Sequence, residues 1–484
     1  MRLSQKFSFT RIGSESMKTF LNAIKKYFAD FGTAVAKGDI WCKLSLLVMG
    51  AGYWGRKQIV KGILMTALEV IVILFTGMFS INYIKDLNTL GTVQYESVFD
   101  PLTLKNTVND YDNSLLILLY GIIGVLVIVA FIFLYISNLK AVYRLQLMKE
   151  EGEHVNTFAE DIKSLFNGKF YITLLTLPSI GVIMMNIIPI IFMSCVAFTN
   201  YDMDHMPPNY LFTWVGLRNF KNMFTGGTTI TFSYAFVRIL AWAVSATFTT
   251  FIGGILLAKL INHEDTHFKK MWRSLFVVTI AIPQFVTLLL VSKMFSDHGI
   301  VNTLCSNIGL TGWLQSIGLV SGNYIPFLSK PGWSHAMIIL INIWVGVPYQ
   351  MLSATGILMN IPTDQLESAR IDGANKWQIF WKITMPYVLF ICGPSLIQSI
   401  IANINNFNVI YLLTSSNATA NMAFANSNAK ETDLLITWLF TLTNDNSNYK
   451  MASVIGIISF AICALLTLLS YTRMISGDKE EVYQ

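Results

Sequence analysis

Three polar side chains, Ser399, Asn403 and Asn406, interrupt a long apolar stretch towards the C-terminal end of the sequence. On a helix, steps of four and then three residues bring them to one face. Amides within a bilayer are costly unless they meet a partner or water. Asparagine supplies donors and an acceptor from one side chain, which suits a sugar hydroxyl. The same groups also bond neighbouring helices together, and the residue types alone leave these two readings level. Gly346 and Tyr349 form a second set one helical turn apart. The glycine admits a ligand or a helix at close range. The tyrosine offers a ring face and a hydroxyl, suited to the apolar face of a sugar, although an aromatic there is more commonly turned to lipid or core. Pro348, between them, is expected to bend the helix.

Other spellings carry less. His263-Glu-Asp-Thr-His267 satisfies H-E-x-x-H, but it falls in a charged stretch with no apolar helix around it and no third ligand. Gly50-Ala-Gly-Tyr-Trp-Gly55 spells G-x-G-x-x-G with no strand before it. No G-x-x-x-x-G-K-[ST] occurs, so no ATP hydrolysis is expected on this chain. The five cysteines, Cys42, Cys195, Cys305, Cys392 and Cys463, show neither a disulfide framework nor metal spacing. No site is therefore assigned to a metal or to catalysis.

The elements that must position these residues are membrane helices. Hydrophobic residues make up 54% of the 484, charged residues 13%, and mean hydropathy is +0.53. A soluble domain carries nearly twice that charge. Eight spans are predicted, near 62–84, 114–136, 172–199, 232–258, 274–295, 335–357, 387–413 and 451–472. Residues 1–61 read as a basic arm; within it, 40–55 is apolar but short and is expected to lie in the interface. With both termini inside, 25 Lys/Arg fall on inner segments and eight on outer ones. The positive-inside rule favours that orientation. It also accounts for the net charge of +6 without nucleic acid. Glu69 and Arg238 are the ionisable residues within spans. Arg238 is expected to reach towards the headgroups, and no role is assigned to Glu69. With few intramembrane acids and no internal repeat, an ion-coupled transporter is disfavoured.

Between the sixth and seventh spans lies a charged segment, 360–386. Asp364 and Glu367 suggest a weak capping box at a helix start. Gly373 is expected to end that helix, and a second short helix, 375–384, is expected to stop before Pro386. The pattern Glu367-Ser368-Ala369, Gly373 after three residues, and Ile383-Thr-Met385-Pro386 after nine more resembles the coupling loop of binding-protein-dependent ABC importers. Ser368 and Met385 depart from the family's alanine and leucine. The strings 344–349 and 405–414 resemble the larger permease subunit of maltose/maltodextrin-type importers, and the resemblance extends from about 170 to the C-terminus.

The resemblance implies an all-α, type I ABC permease with both termini cytoplasmic, in a bacterial plasma membrane. Its organisation would be an arm (1–61), two extra spans with a connector (62–171), and a permease core (172–484). Gly346, Tyr349, Ser399, Asn403 and Asn406 match positions that line the family's sugar site. Glu367, Ser368, Ala369, Asp372, Gly373 and Pro386 match the surface that meets an ATPase. The implied partners are a second permease, two ATPase subunits carrying ATP and Mg, and an extracytoplasmic solute-binding protein. The implied substrate is a maltodextrin, with a galacto-oligosaccharide or another plant glycan fragment as the alternative.

Overall fold

In lipid every backbone amide must be satisfied within its own segment, so long apolar runs become helices. The computed structural model follows that rule. It describes residues 9–100, 104–414, 424 and 427–481. Seven helices are long and apolar enough to cross a bilayer: Ile59–Asp86, Ser114–Glu150, Phe170–Val196, Thr229–Asn262, Pro331–Leu358, Lys376–Thr414 and Tyr449–Leu469. They occupy the first to fourth and sixth to eighth predicted positions.

The fifth span differs from the prediction. It is a pair, Lys269–Ala281 and Gln284–Met294, bent by 90°. Pro283 has no N–H to give, and it forces Ile282 out of the helical region, to ψ 127°. The seventh span is also interrupted: one helix ends at Ile404 and the next begins at Phe407. By contrast, Pro348 sits inside the sixth span without ending it.

The chain divides into two compact units. The first comprises residues 1–193 and 205–214. It holds the helix Phe9–Lys37, the first two spans, most of the third, a small hairpin (Ser97–Asp100 with Lys105–Val108) and the helix Phe158–Phe166. Residues 40–54 form two short helices, Ile40–Leu44 and Ala51–Trp54, folded against the first two spans. Here Glu69 finds its role. Its carboxylate accepts the Met49 N–H at 2.8 Å, while Asn138 Nδ2 donates to the Met49 carbonyl at 2.9 Å. The backbone of one residue is thus held from both spans. The G-x-G-x-x-G spelling is explained by packing: a Cβ on Gly50 would lie 2.1 Å from the Gly62 carbonyl oxygen.

The second unit comprises residues 194–204 and 215–484. Its axis is the fourth span packed along the sixth. Small residues bring these helices together; a Cβ on Gly254 would meet the Gln350 Cβ at 2.4 Å and the Met351 nitrogen at 2.9 Å. One apolar cluster joins Ile239, Ala243 and Ala246 to Ile338, Ile341 and Trp438. A second joins Ile255, Ala258, Met351 and Ala354 to Phe380, Met385 and Val388. That second cluster fastens the 360–386 segment to the helix pair.

Candidate functional site: a membrane cavity and an exposed elbow

The break at Ile282-Pro283 and the end of the seventh span's first helix, up to Asn403, border one cavity of about 510 Å³. Gly346, Tyr349, Ser399 and Asn403 line it. Tyr349 is 65% exposed, so its ring is available rather than packed into the core. Ser399 Oγ donates to the Ser395 carbonyl at 2.8 Å, leaving its lone pairs free. Asn403 is held at both ends. Its side-chain amide donates to Thr247 Oγ1 at 3.0 Å, and its backbone carbonyl accepts the Trp242 indole N–H at 3.2 Å. Gly346 proves to be a packing residue as well as a wall: a Cβ there would approach Thr250 Cγ2 at 2.8 Å.

Asn406 does not line the cavity. The helix that would have carried it onto the face of Ser399 and Asn403 ends two residues earlier. Asn406 instead begins the next helix, its Oδ1 accepting the Val409 N–H at 3.2 Å, as an N-cap does. Its Nδ2 donates to Asn403 Oδ1 at 3.3 Å, so it acts on the cavity through Asn403.

Among the wall residues that escaped the sequence reading are three amides, Gln284, Asn342 and Gln350. Asn342, Gly346 and Gln350 follow steps of four, so the signal was on the page for the sixth span. Gln284 reaches the cavity because the fifth span turns at Pro283. Its Oε1 lies 3.5 Å from Asn408 Nδ2, linking the two broken spans. The lining also includes Thr250, Thr279, Thr287 and Trp344, and among the described residues no acidic or basic side chain. Chemically it is a neutral wall of hydroxyls, amides and two aromatics.

The charged segment is a bent rod. Its first helix is Thr363–Ile371. Pro362 precedes it with no side-chain cap, so the expected Asp364–Glu367 box is not formed. Gly373, at φ +82°, ends the helix. The Ala374 N–H reaches the Ala369 carbonyl at 2.9 Å and the Gly373 N–H the Arg370 carbonyl at 3.1 Å, the paired bonds of a Schellman motif. The capping box occurs one helix later. Asn375 Oδ1 accepts from Gln378 N at 2.8 Å, and Gln378 Oε1 accepts from Asn375 N at 2.9 Å.

The second helix does not stop before Pro386. It runs from Lys376 through a wider turn, Phe380–Thr384, into the seventh span. Pro386 falls in the first turn after that wider one, where a missing N–H costs little. Lys259 Nζ sits 4.2 Å from the centre of the Phe380 ring, pinning the elbow to the end of the fourth span.

Glu367, Ser368, Asp372, Gly373 and Pro386 are all exposed, whereas Ala369 is buried. The sequence reading missed Ile371 and Trp377, which are 86% and 70% exposed. Both are large apolar side chains standing in a charged segment. Beside them is a cleft of about 410 Å³ that includes Asp372, Gly373, Gln378 and Lys382. His263 and His267 lie in the turn after the fourth span, where the His263 ring is 3.4 Å from the Asp265 carboxylate.

Residues 250–476 match the sequence profile of the binding-protein-dependent transport system inner membrane component family. Both the cavity and the elbow fall within that range. The maltodextrin transport system permease protein MalC of Streptococcus pneumoniae is 30% identical over 443 residues, covering 90% of this chain and 96% of MalC. The galactooligosaccharides transport system permease protein GanP of Bacillus subtilis is 31% identical over 441 residues, 90% of this chain and 97% of its own. Among solved structures, a chain of a bacterial ABC transporter involved in import of the acidic polysaccharide alginate aligns with TM-score 0.50 and 21% identity. It covers 65% of this chain and 98% of its own, a likeness of fold.

Proposed function

The chain belongs to the binding-protein-dependent transport family of membrane components, and from that premise we propose that it is the permease subunit of an ATP-driven importer for a neutral oligosaccharide, in the first place a maltodextrin. The observation that carries the substrate class is the cavity lining. Hydroxyls, amides and aromatic faces satisfy the hydroxyls and apolar faces of a neutral sugar. A uronate polymer such as alginate would bring carboxylates that nothing in this wall neutralises. Gly346, Tyr349, Ser399 and Asn403 contact the sugar directly, together with Asn342, Gln284 and Gln350. Asn406 positions Asn403.

The elbow faces the cytoplasm and docks on a separate ATPase subunit. Glu367, Asp372 and Lys382 supply its charged contacts, and Ile371 and Trp377 its apolar ones. Gly373 sets the angle. ATP and Mg belong to the ATPase, one copy under this chain and a second under a partner permease. A solute-binding protein delivers sugar from the other side. Closure of the ATPases displaces the elbow, and the seventh span carries that displacement to Asn403. The cavity thereby opens alternately to the two sides, with no covalent step on this chain. The galacto-oligosaccharide reading is kept as the second one, because GanP is similar over the same length and the lining suits any neutral glycan.

The test is uptake by the complete importer reconstituted in liposomes with ATP inside. Radiolabelled maltotriose should accumulate, unlabelled galacto-oligosaccharide should compete weakly, and a uronate oligosaccharide should not compete. Stronger competition by galacto-oligosaccharide than by maltotriose would move the assignment to the second reading. Accumulation without ATP would remove both.

A further inference from the structure

The fourth and sixth spans enclose a second hollow at their end remote from the elbow, of about 330 Å³. Its trough is apolar and narrow. Val237, Ala241 and Ser245 form one wall at steps of four along the fourth span, and Ile338 and Ile339 form the other. Val237 is 66% exposed, so the trough opens on the outside of the helix pair. This hollow is separate from the sugar cavity and shares none of its lining.

At the head of the trough stand Arg238 and His335. Arg238 donates through Nη1 to the Glu431 carbonyl, and Tyr234 also hydrogen-bonds it. Glu431 and Asp433 act on it electrostatically, yet among the described residues no carboxylate lies within ion-pair distance. A guanidinium has five N–H donors in a fixed fork, more than these partners engage. The His335 ring also meets the Glu431 carbonyl, and its Nε2 is buried without a partner.

Depth supports a particular occupant. The fourth span has 34 residues, about 51 Å of helix against a hydrocarbon core of about 30 Å. Centred on that core, the helix extends about 10 Å beyond it at each end. Arg238 lies about 14 Å from the start of the helix, near the hydrocarbon boundary, where lipid phosphates are within reach of a long side chain. A cation at headgroup depth above an apolar trough is complementary to a molecule with an anion at one end and a chain at the other.

We propose that this hollow is a binding site for an anionic phospholipid of the leaflet opposite the elbow. The phosphate sits on the free donors of Arg238, next to His335, and one acyl chain runs along Val237, Ala241 and Ser245. The site goes beyond the transport reading, and its test does not depend on sugar uptake. The intact importer would be reconstituted in nanodiscs of phosphatidylcholine alone or with one-fifth phosphatidylglycerol. It would then be extracted in mild detergent, and retained lipid counted by mass spectrometry. Wild type should retain phosphatidylglycerol in preference to phosphatidylcholine, about one molecule per chain. R238Q should lose at least five-fold of that retention. A241W, which fills the trough and leaves the arginine in place, should lose a similar amount. Inorganic phosphate at 10 mM should not displace the lipid if the chain contributes to binding; full displacement would make this a phosphate site and overturn the proposal. Equal retention in wild type, R238Q and A241W would also overturn it. So would efficient crosslinking of V237C to a second permease, since a protein would then cover the trough.

Discussion

The cavity and the elbow are built from similar residues and treated in opposite ways. In the cavity, Asn403 is tied to Thr247, Trp242 and Asn406 before any ligand arrives. In the elbow, the bend is fixed by the Schellman bonds at Gly373 and the Asn375–Gln378 capping box, while Glu367, Ile371 and Trp377 project into open space. The first, in the function proposed above, is pre-organised for a small ligand. The second, in the function proposed above, is one half of an interface, with its large side chains still uncovered. The difference separates a place that recognises from a place that is driven.

Changes to the frame of the elbow should have the largest effect. Gly373→Pro cannot adopt φ +82°, because proline is held near −65°. ATP-driven uptake should fall to background while the chain still inserts and still binds sugar. Normal uptake by this variant would mean that the bend at Gly373 is not used. Ile371→Asp should leave the frame intact and weaken capture of the ATPase at least ten-fold, about 1.4 kcal/mol, read by co-purification from detergent. Equal co-purification would place the ATPase elsewhere.

Next in size is the helix pair behind the cavity. Gly254→Ala places a methyl group against the backbone of Gln350 and Met351, and overpacking of this kind costs about 1–3 kcal/mol. Its thermal midpoint should fall, whereas Gly356→Ala, with open space around it, should leave the midpoint unchanged or raised.

Asn403 and Asn406 sharpen the comparison inside the cavity. Asn403→Ala should weaken sugar binding about ten-fold, equivalent to about 1.4 kcal/mol. Asn406→Ala should chiefly cost stability, about 1 kcal/mol for a lost N-cap, and Asn406→Ser should restore most of it. Binding calorimetry beside thermal unfolding separates the two. If Asn406→Ala lost affinity with no loss of stability, it would be a ligand contact after all.

The smallest effect concerns pH. Burial holds the Asp433 carboxyl above its ordinary range, against a lesser opposing pull from the Lys430 backbone N–H. A carboxyl raised on folding contributes stability that is full below its unfolded value and is lost as pH rises through its folded value. Wild type should therefore lose stability relative to Asp433→Asn as pH rises above about 4, the ordinary carboxyl value. Parallel melting curves for the two across that range would show that Asp433 does not contribute.

Much of this architecture was legible in residue order. The span positions were, because a bilayer imposes length and apolarity together. The turn at Gly373 was, because few residues tolerate a left-handed backbone. The two breaks were not. Ile282-Pro283 lies inside a run apolar enough to pass as one helix, and its 90° turn brings Gln284 to the cavity. Asn405 and Asn406 look like two more polar residues on a helical face; that one ends a helix and the other starts the next depends on packing around Trp242 and Thr247. Glu69 had no readable role because its partner is a backbone N–H, and backbone amides leave no trace in composition.

The seventh span begins below the cavity, within the elbow. From Lys376 to Asn403 the helix never ends; it widens for one turn at Phe380–Thr384 and continues. Over about 40 Å, the indole of Trp377 and the amide of Asn403 therefore share one shaft. Any displacement passed between them must cross the wider turn and the two prolines, Pro386 and Pro394, that lie on the way. One extra residue midway would rotate Asn403 by about 100° relative to Trp377, leaving each terminus chemically whole but out of step with the other.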